Sequence, residues 1–189
     1  MKIHGTAKGG ALSTKDFGVA FGGAAAPSIP CYDNSTHLSV SSLSNTAYPW
    51  QYEAGMQVTS EEAGTVLNGV ITYMSQGTDE DSTGTYDARV YTGTTLRATS
   101  ATINASALGP KVSPQEPTEQ IFMFASPYTL AEDDYVVIHA ADGGAPTKYA
   151  DISTTVDATP THPFRYGVDG TTWTTESWAA VINLKFICG

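Results

Sequence analysis

Two acidic clusters, four histidines and two cysteines are the residues of this chain whose types could do chemistry. Asp79-Glu80-Asp81 and Glu132-Asp133-Asp134 could each offer the two carboxylates of glycoside hydrolysis, which must project from a cleft. Both clusters instead stand at expected loop tips, the first between Thr78 and Ser82 and the second between Ala131 and Tyr135, so a solvated turn is the better reading. His4, His37, His139 and His162 have no local partner pattern, and no G-x-S-x-G elbow accompanies them. His139 closes an expected strand and reads as a satisfied edge residue. Gly9-Gly10 and Gly22-Gly23 lack the lysine-serine pair and the strand-to-helix context of a phosphate cradle. No catalytic residue is assigned, and the chain is expected not to be an enzyme.

A cation is a more open matter. Asp79, Asp81 and Thr83 set oxygen side chains on alternate residues ahead of Gly84, as in the opening of a calcium-binding loop. The twelfth position is Val90, and the flanks read as strands, so this is not an EF-hand. A structural Ca²⁺ held by Asp79, Asp81 and Asp87 is the candidate, and an unfilled acidic loop is the default. Cys31 and Cys188 have neither metal-ligand nor C-x-x-C spacing; a disulfide and two buried thiols both fit. Trp50, Tyr52, Tyr149, Tyr166, Trp173 and Trp178 fall in expected loops or near strand ends. There, flat rings with polar handles can stack on a sugar or cap the core.

The elements that would position these residues are short β-branched and aromatic runs bounded by Gly, Pro, Asp or Ser. Thr65–Met74, Thr85–Tyr91, Gln120–Phe124 and Tyr135–Ile138 are the clearest, and no stretch has a helical period. In the first, Leu67, Ile71 and Tyr73 are expected on one face and Val66, Val70 and Met74 on the other. In the second, Tyr86, Ala88 and Val90 alternate with Asp87, Arg89 and Tyr91, and Arg89 is expected to face water or a partner. Residues 142–163 read as a long polar excursion. Near the end, Asp169-Gly170 marks a hairpin, and Ile182, Leu184, Phe186 and Cys188 are expected on one inner face.

Residues 1–30 differ from the rest. Small-residue stretches leave them too little side chain for a core, so they read as an assembly arm, with 31–189 as the body. Lys2, Lys8 and Lys15 against Asp16 give the arm +2, which leaves −12 for the body of a chain whose net charge is −10. Phe17, Val19 and Phe21 alternate with small residues as in a short strand with one apolar face. That segment fits either the chain's own sheet or strand addition to a neighbouring subunit. The acidic surface argues against nucleic acid and anionic membranes as partners, and no apolar run approaches the ~20 residues of a membrane-spanning helix. Met1–Gly5 does not open a secretory signal.

The order of runs from Gln51 to Gly189, with Gly84-Thr85-Tyr86, Phe122-Met123-Phe124, Asp169-Gly170 and the closing Leu184–Gly189, resembles the jelly-roll domains of bacteriophage and viral tail, fibre and capsid-decoration proteins. The resemblance implies an all-β fold: a jelly-roll β-sandwich of two antiparallel sheets with an extended N-terminal arm. It also implies a non-enzymatic virion protein in a virion or extracellular assembly, whose partners are copies of itself or other virion proteins. A jelly roll brings its first and last strands together, so Cys31 and Cys188 could pair, with two buried thiols an equal alternative. The alternative is a carbohydrate-binding jelly-roll module that recognises host-surface glycans through the loop aromatics. No cofactor other than Ca²⁺ is implied.

Overall fold

The computed structural model describes residues 30–33, 39–43, 53–76, 84–109, 117–141, 150–156, 164–168, 172–176 and 180–189. The fold is all-β: two antiparallel sheets stacked as a sandwich. Among the described residues each sheet has seven strands. The strands are β1 (Pro30–Asp33), β2 (Ser39–Leu43), β3 (Glu53–Gln57), β4 (Val66–Gln76), β5 (Thr85–Thr92), β6 (Thr95–Thr99), β7 (Ile103–Asn104) and β8 (Thr118–Thr129). They continue as β9 (Asp134–Ala141), β10 (Ala150–Val156), β11 (Phe164–Val168), β12 (Thr172–Glu176), β13 (Ala180–Ile182) and β14 (Leu184–Cys188). One short 3₁₀ turn, Ala105–Ala107, follows β7.

The first sheet runs β1-β14-β4, with β8 also paired to β4; β10 joins the end of β4 and is flanked by β2 and β13. The second runs β12-β11-β3-β9-β5-β6, with β7 also on β5. Their inner faces meet in one core. Leu67, Val70, Met74, Phe122, Phe124, Leu184 and Phe186 come from the first sheet, and Met56, Tyr86, Ala88, Val90, Val136 and Ile138 from the second. Tyr86, Ala88 and Val90 point inward as their alternation predicts.

The β4 faces differ from expectation. A bulge between Leu67 and Gly69 inserts Asn68 without a cross-strand partner, which moves the later residues onto the opposite faces. Leu67 therefore shares the core with Val70 and Met74, while Val66 stands on the outer side with Ile71 and Tyr73. Gly69 sits at the bulge under Met123: a Cβ there would lie 2.8 Å from both the Met123 sulfur and the Phe122 carbonyl oxygen.

Three further expectations change. Residues 150–156, read as part of a polar excursion, form β10 between β2 and β4. Tyr166 lies in the middle of β11 rather than in a loop or near a strand end, whereas Trp173, second in β12, is near a strand end as expected. The acidic turn ahead of β9 is not wholly solvated, because buried Asp134 accepts hydrogen bonds from Thr92 Oγ1 (2.7 Å), Tyr128 OH (3.0 Å) and the Ala131 amide (2.8 Å). That set ties the β8–β9 turn to the end of β5. Asp133 beside it takes a φ of 69°, the left-handed conformation that Asp tolerates better than most residues.

Candidate functional site

The two outer faces of the sandwich carry different chemistry. On the second sheet, β3, β9 and β5 are adjacent, and their register sets Glu53 opposite His139 and His139 opposite Asp87. Residues directly opposite share a face. One row of outward positions therefore holds Glu53, His139 and Asp87, and Arg89 and Tyr91 continue it along β5. Glu53 is completely buried and Asp87 and Tyr91 nearly so, although all three face away from the core.

Arg89 joins the two carboxylates. Its Nε donates to Asp87 Oδ1 at 2.8 Å, its Nη2 to Asp87 Oδ2 at 3.3 Å and its Nη1 to the Tyr91 hydroxyl at 3.2 Å. The same Nη1 lies 3.7 Å from Glu53 Oε1. The Tyr91 hydroxyl in turn donates to Glu53 Oε1 at 2.6 Å. On the other flank, His139 Nδ1 approaches Asp87 Oδ1 to 3.2 Å, off the line of a well-directed hydrogen bond. The second Glu53 oxygen, Oε2, is buried with no hydrogen-bond partner.

These contacts move Asp87, Arg89 and Tyr91 further from neutrality. Burial alone would raise Asp87, but the close His139 and Arg89 outweigh it and hold the carboxyl below its usual value. Burial would likewise lower Arg89; its bonds with Tyr91 and Asp87 reverse the sign and raise it. Burial, reinforced by the bond to Glu53, pushes Tyr91 up to about 12. A general acid or base works best with a pKa near the operating pH. Asp87, Arg89 and Tyr91 are instead driven deeper into the forms they hold at pH 7, which is the behaviour of an ion-pair lock. Arg89 therefore turns to its own strand and to Glu53 rather than to water, and His139 sits between two strands rather than at an edge.

On the first sheet, the outer face is apolar. The register sets Met123 opposite Gly69, Ile121 opposite Ile71 and Glu119 opposite Tyr73, with Lys185 and Ile187 of β14 beyond β4. Ile71 and Ile187 are buried, whereas Ile121 is 52 % and Met123 46 % exposed, and Val66 is also exposed. Lys185 Nζ lies 5.4 Å from the centre of the Tyr73 ring, within the range of a cation–π contact. Among the described residues, only β4 pairs with residues 118–123 of β8. The Met123 carbonyl accepts from the Ala101 amide at 3.2 Å, so it points away from β4. Backbone groups alternate along a strand, so those of Ile121 and Glu119 point to that same edge.

The residues singled out in the sequence are scattered. Lys2, Lys8, Lys15, Phe17, Val19, Phe21, Trp50, Tyr52, Asp79, Asp81, Tyr149 and Trp178 lie outside the described residues. Tyr166 pairs with Ala54, a core residue, and Trp173 pairs with Gly167, which is itself opposite Glu53. Asp87 does not fit the calcium set, because Arg89 occupies both of its oxygens in mid-strand. Among the described residues, no group of three or more His, Cys, Asp or Glu could hold a metal ion. Cys188 is disulfide-bonded, and Cys31, the chain's only other cysteine, lies on β1, which pairs with β14. Sequence reasoning missed Glu53 altogether. Its one signal was a charged residue beginning the run Glu53-Ala54-Gly55-Met56, which is otherwise small and apolar.

No protein family, curated protein or solved structure matches the chain.

Proposed function

We propose that this chain is a non-enzymatic structural protein: a jelly-roll sandwich serving as a capsid-decoration, tail or fibre component of a virion, which assembles through residues 1–30. The observation that carries this reading is the pair of large apolar side chains left in water on β8, Ile121 and Met123. Single exposed apolar residues are common on monomers. Two on alternate positions of one strand, continuous with Val66 and Ile71 on the same face, form a stripe of the kind protein contacts cover.

Two other features support the reading. The division of charge between a +2 arm and a −12 body favours contact between them. In the buried row on the opposite face Asp87, Arg89 and Tyr91 are pushed away from neutral pKa values, which suits a framework better than proton transfer. The virion setting comes from the resemblance of residues 51–189. The expected partners are copies of this chain or other virion proteins.

The experiment is to delete residues 1–23 and measure oligomer size by light scattering, or incorporation into particles. The expected result is loss of assembly with the thermal midpoint of the body retained. Assembly at full strength without those residues removes the arm from the mechanism.

A further inference from the structure

Resting on that reading, we infer that the acceptor for the arm is the open edge of β8 on a neighbouring copy, where residues Lys15–Val19 add as a parallel strand beside Glu119–Met123. Three observations meet at this edge. First, the backbone groups of Glu119 and Ile121 point away from β4, and no strand among the described residues pairs with them. An edge of this kind is a template for strand addition. The amide of Ala101 takes the Met123 carbonyl, so the open stretch ends there and sets how far an added strand can run.

Second, the two sequences match in pattern when aligned in the same direction. Lys15, Phe17 and Val19 occupy alternate positions, as do Glu119, Ile121 and Met123. A parallel register sets the lysine beside the glutamate, Phe17 beside Ile121 and Val19 beside Met123. Gly18, between the two apolar residues of the arm, leaves the opposite side of the added strand without bulk. The antiparallel alternative would set Phe17 or Val19 beside Glu119 and forfeit the ion pair.

Third, the exposure is concentrated where the aligned partners would sit. Ile121 and Met123 are half in water, whereas Ile71 and Ile187 on the same face are buried. Gly69 lets Met123 lie flat across β4, so the apolar stripe is continuous up to the edge. Eleven residue steps separate Val19 from Pro30, a reach of at most about 40 Å at ~3.3–3.6 Å per residue. The β8 edge of the neighbour must lie within that distance of the start of β1.

The test uses the full chain in three arms, each read by sedimentation and by thermal midpoint. Deleting residues 1–23 and substituting Ile121→Asp with Met123→Asp should each weaken self-association at least tenfold without lowering the midpoint. Separately tagged copies, one carrying Phe17→Cys and the other Ile121→Cys, should cross-link to each other under mild oxidation. If deletion abolishes assembly while Ile121→Asp/Met123→Asp assembles normally, the arm docks elsewhere and this acceptor is wrong, although the assembly reading stands. If deletion leaves assembly intact, the assembly reading itself fails. A Phe17→Cys/Ile121→Cys double variant that closes only within one chain shows the arm folded onto its own β8 and overturns docking between copies.

Discussion

The outer faces of the two sheets are built on opposite terms. Across β3, β9 and β5, charged and polar side chains point away from the core and are nevertheless buried, each carboxylate held by Arg89 or Tyr91. On β8 and β4, apolar side chains point away from the core and two remain half exposed. Burying charges is costly unless every group finds a partner, so the first face is complete only as a network. Leaving Ile121 and Met123 in water forgoes the gain of burying them, roughly 1.5–3 kcal/mol for each whole side chain. The contrast teaches where each face finds its partners. In the ionic row each carboxylate is held within one copy, with Glu53 Oε2 left unpartnered, and on the apolar edge Ile121 and Met123 remain in water.

Breaking the ionic row should have the largest effect. Arg89→Met leaves Asp87 and Glu53 buried without their cation, and the expected loss is about 3–5 kcal/mol in urea unfolding. Next comes pH, acting on the same face. Tyr91 has an ordinary value of 10.0 and is raised to about 12 in the fold, so its contribution is intact below pH 10 and is lost as pH climbs towards 12. Asp87 is lowered, so its contribution is intact above its ordinary 3.8 and is lost as pH falls through the depressed value. Urea midpoints measured across pH should therefore fall at both ends, with a shallower alkaline limb in Tyr91→Phe and a shallower acid limb in Asp87→Asn.

Changes on the apolar face should cost less. Gly69→Ala drives a methyl group against Met123 and the Phe122 carbonyl, and about 1–3 kcal/mol of stability should be lost. Ile121→Ser, at the exposed end of the stripe, should shift the unfolding of an isolated copy by no more than about 0.5 kcal/mol. If Ile121→Ser destabilises the lone copy as much as Arg89→Met does, the two faces are not different in kind.

Much of the architecture was legible in the sequence, because it rests on period and boundaries. The runs Thr85–Tyr91 and Tyr135–Ile138 became β5 and β9 with Tyr86, Ala88 and Val90 inward, since a period of two needs no knowledge of the partner strand. The faces of β4 were misread at one point. The bulge at Asn68 depends on how β8 and β14 meet that strand, and nothing local announces it. The ionic row was invisible for a similar reason. Glu53, Asp87 and His139 lie in three strands far apart in sequence, and only the register of β3, β9 and β5 makes them neighbours. β10 was missed although Ala150, Ile152 and Val156 alternate with Asp151, Ser153 and Thr155, because the alternation is short and set among Gly, Thr and Asp; pairing on both sides supplies what its composition does not.

At Asn183 the last stretch of chain changes neighbours. β13 pairs with β10, β14 pairs with β4, and between them the Asn183 amide donates to the Ser153 carbonyl while its own carbonyl accepts from Thr72 Oγ1. β14 also lies between β4 and β1, so the earliest-made strand described has no partner in that sheet until the latest one is synthesised. A nascent chain can pair β3 with β9 and β9 with β5 well before that. The β3-β9-β5 and β4-β8 pairs can therefore form during translation, while β1 must wait for residues 184–188 to leave the ribosome and close a long loop, an inherently slow event.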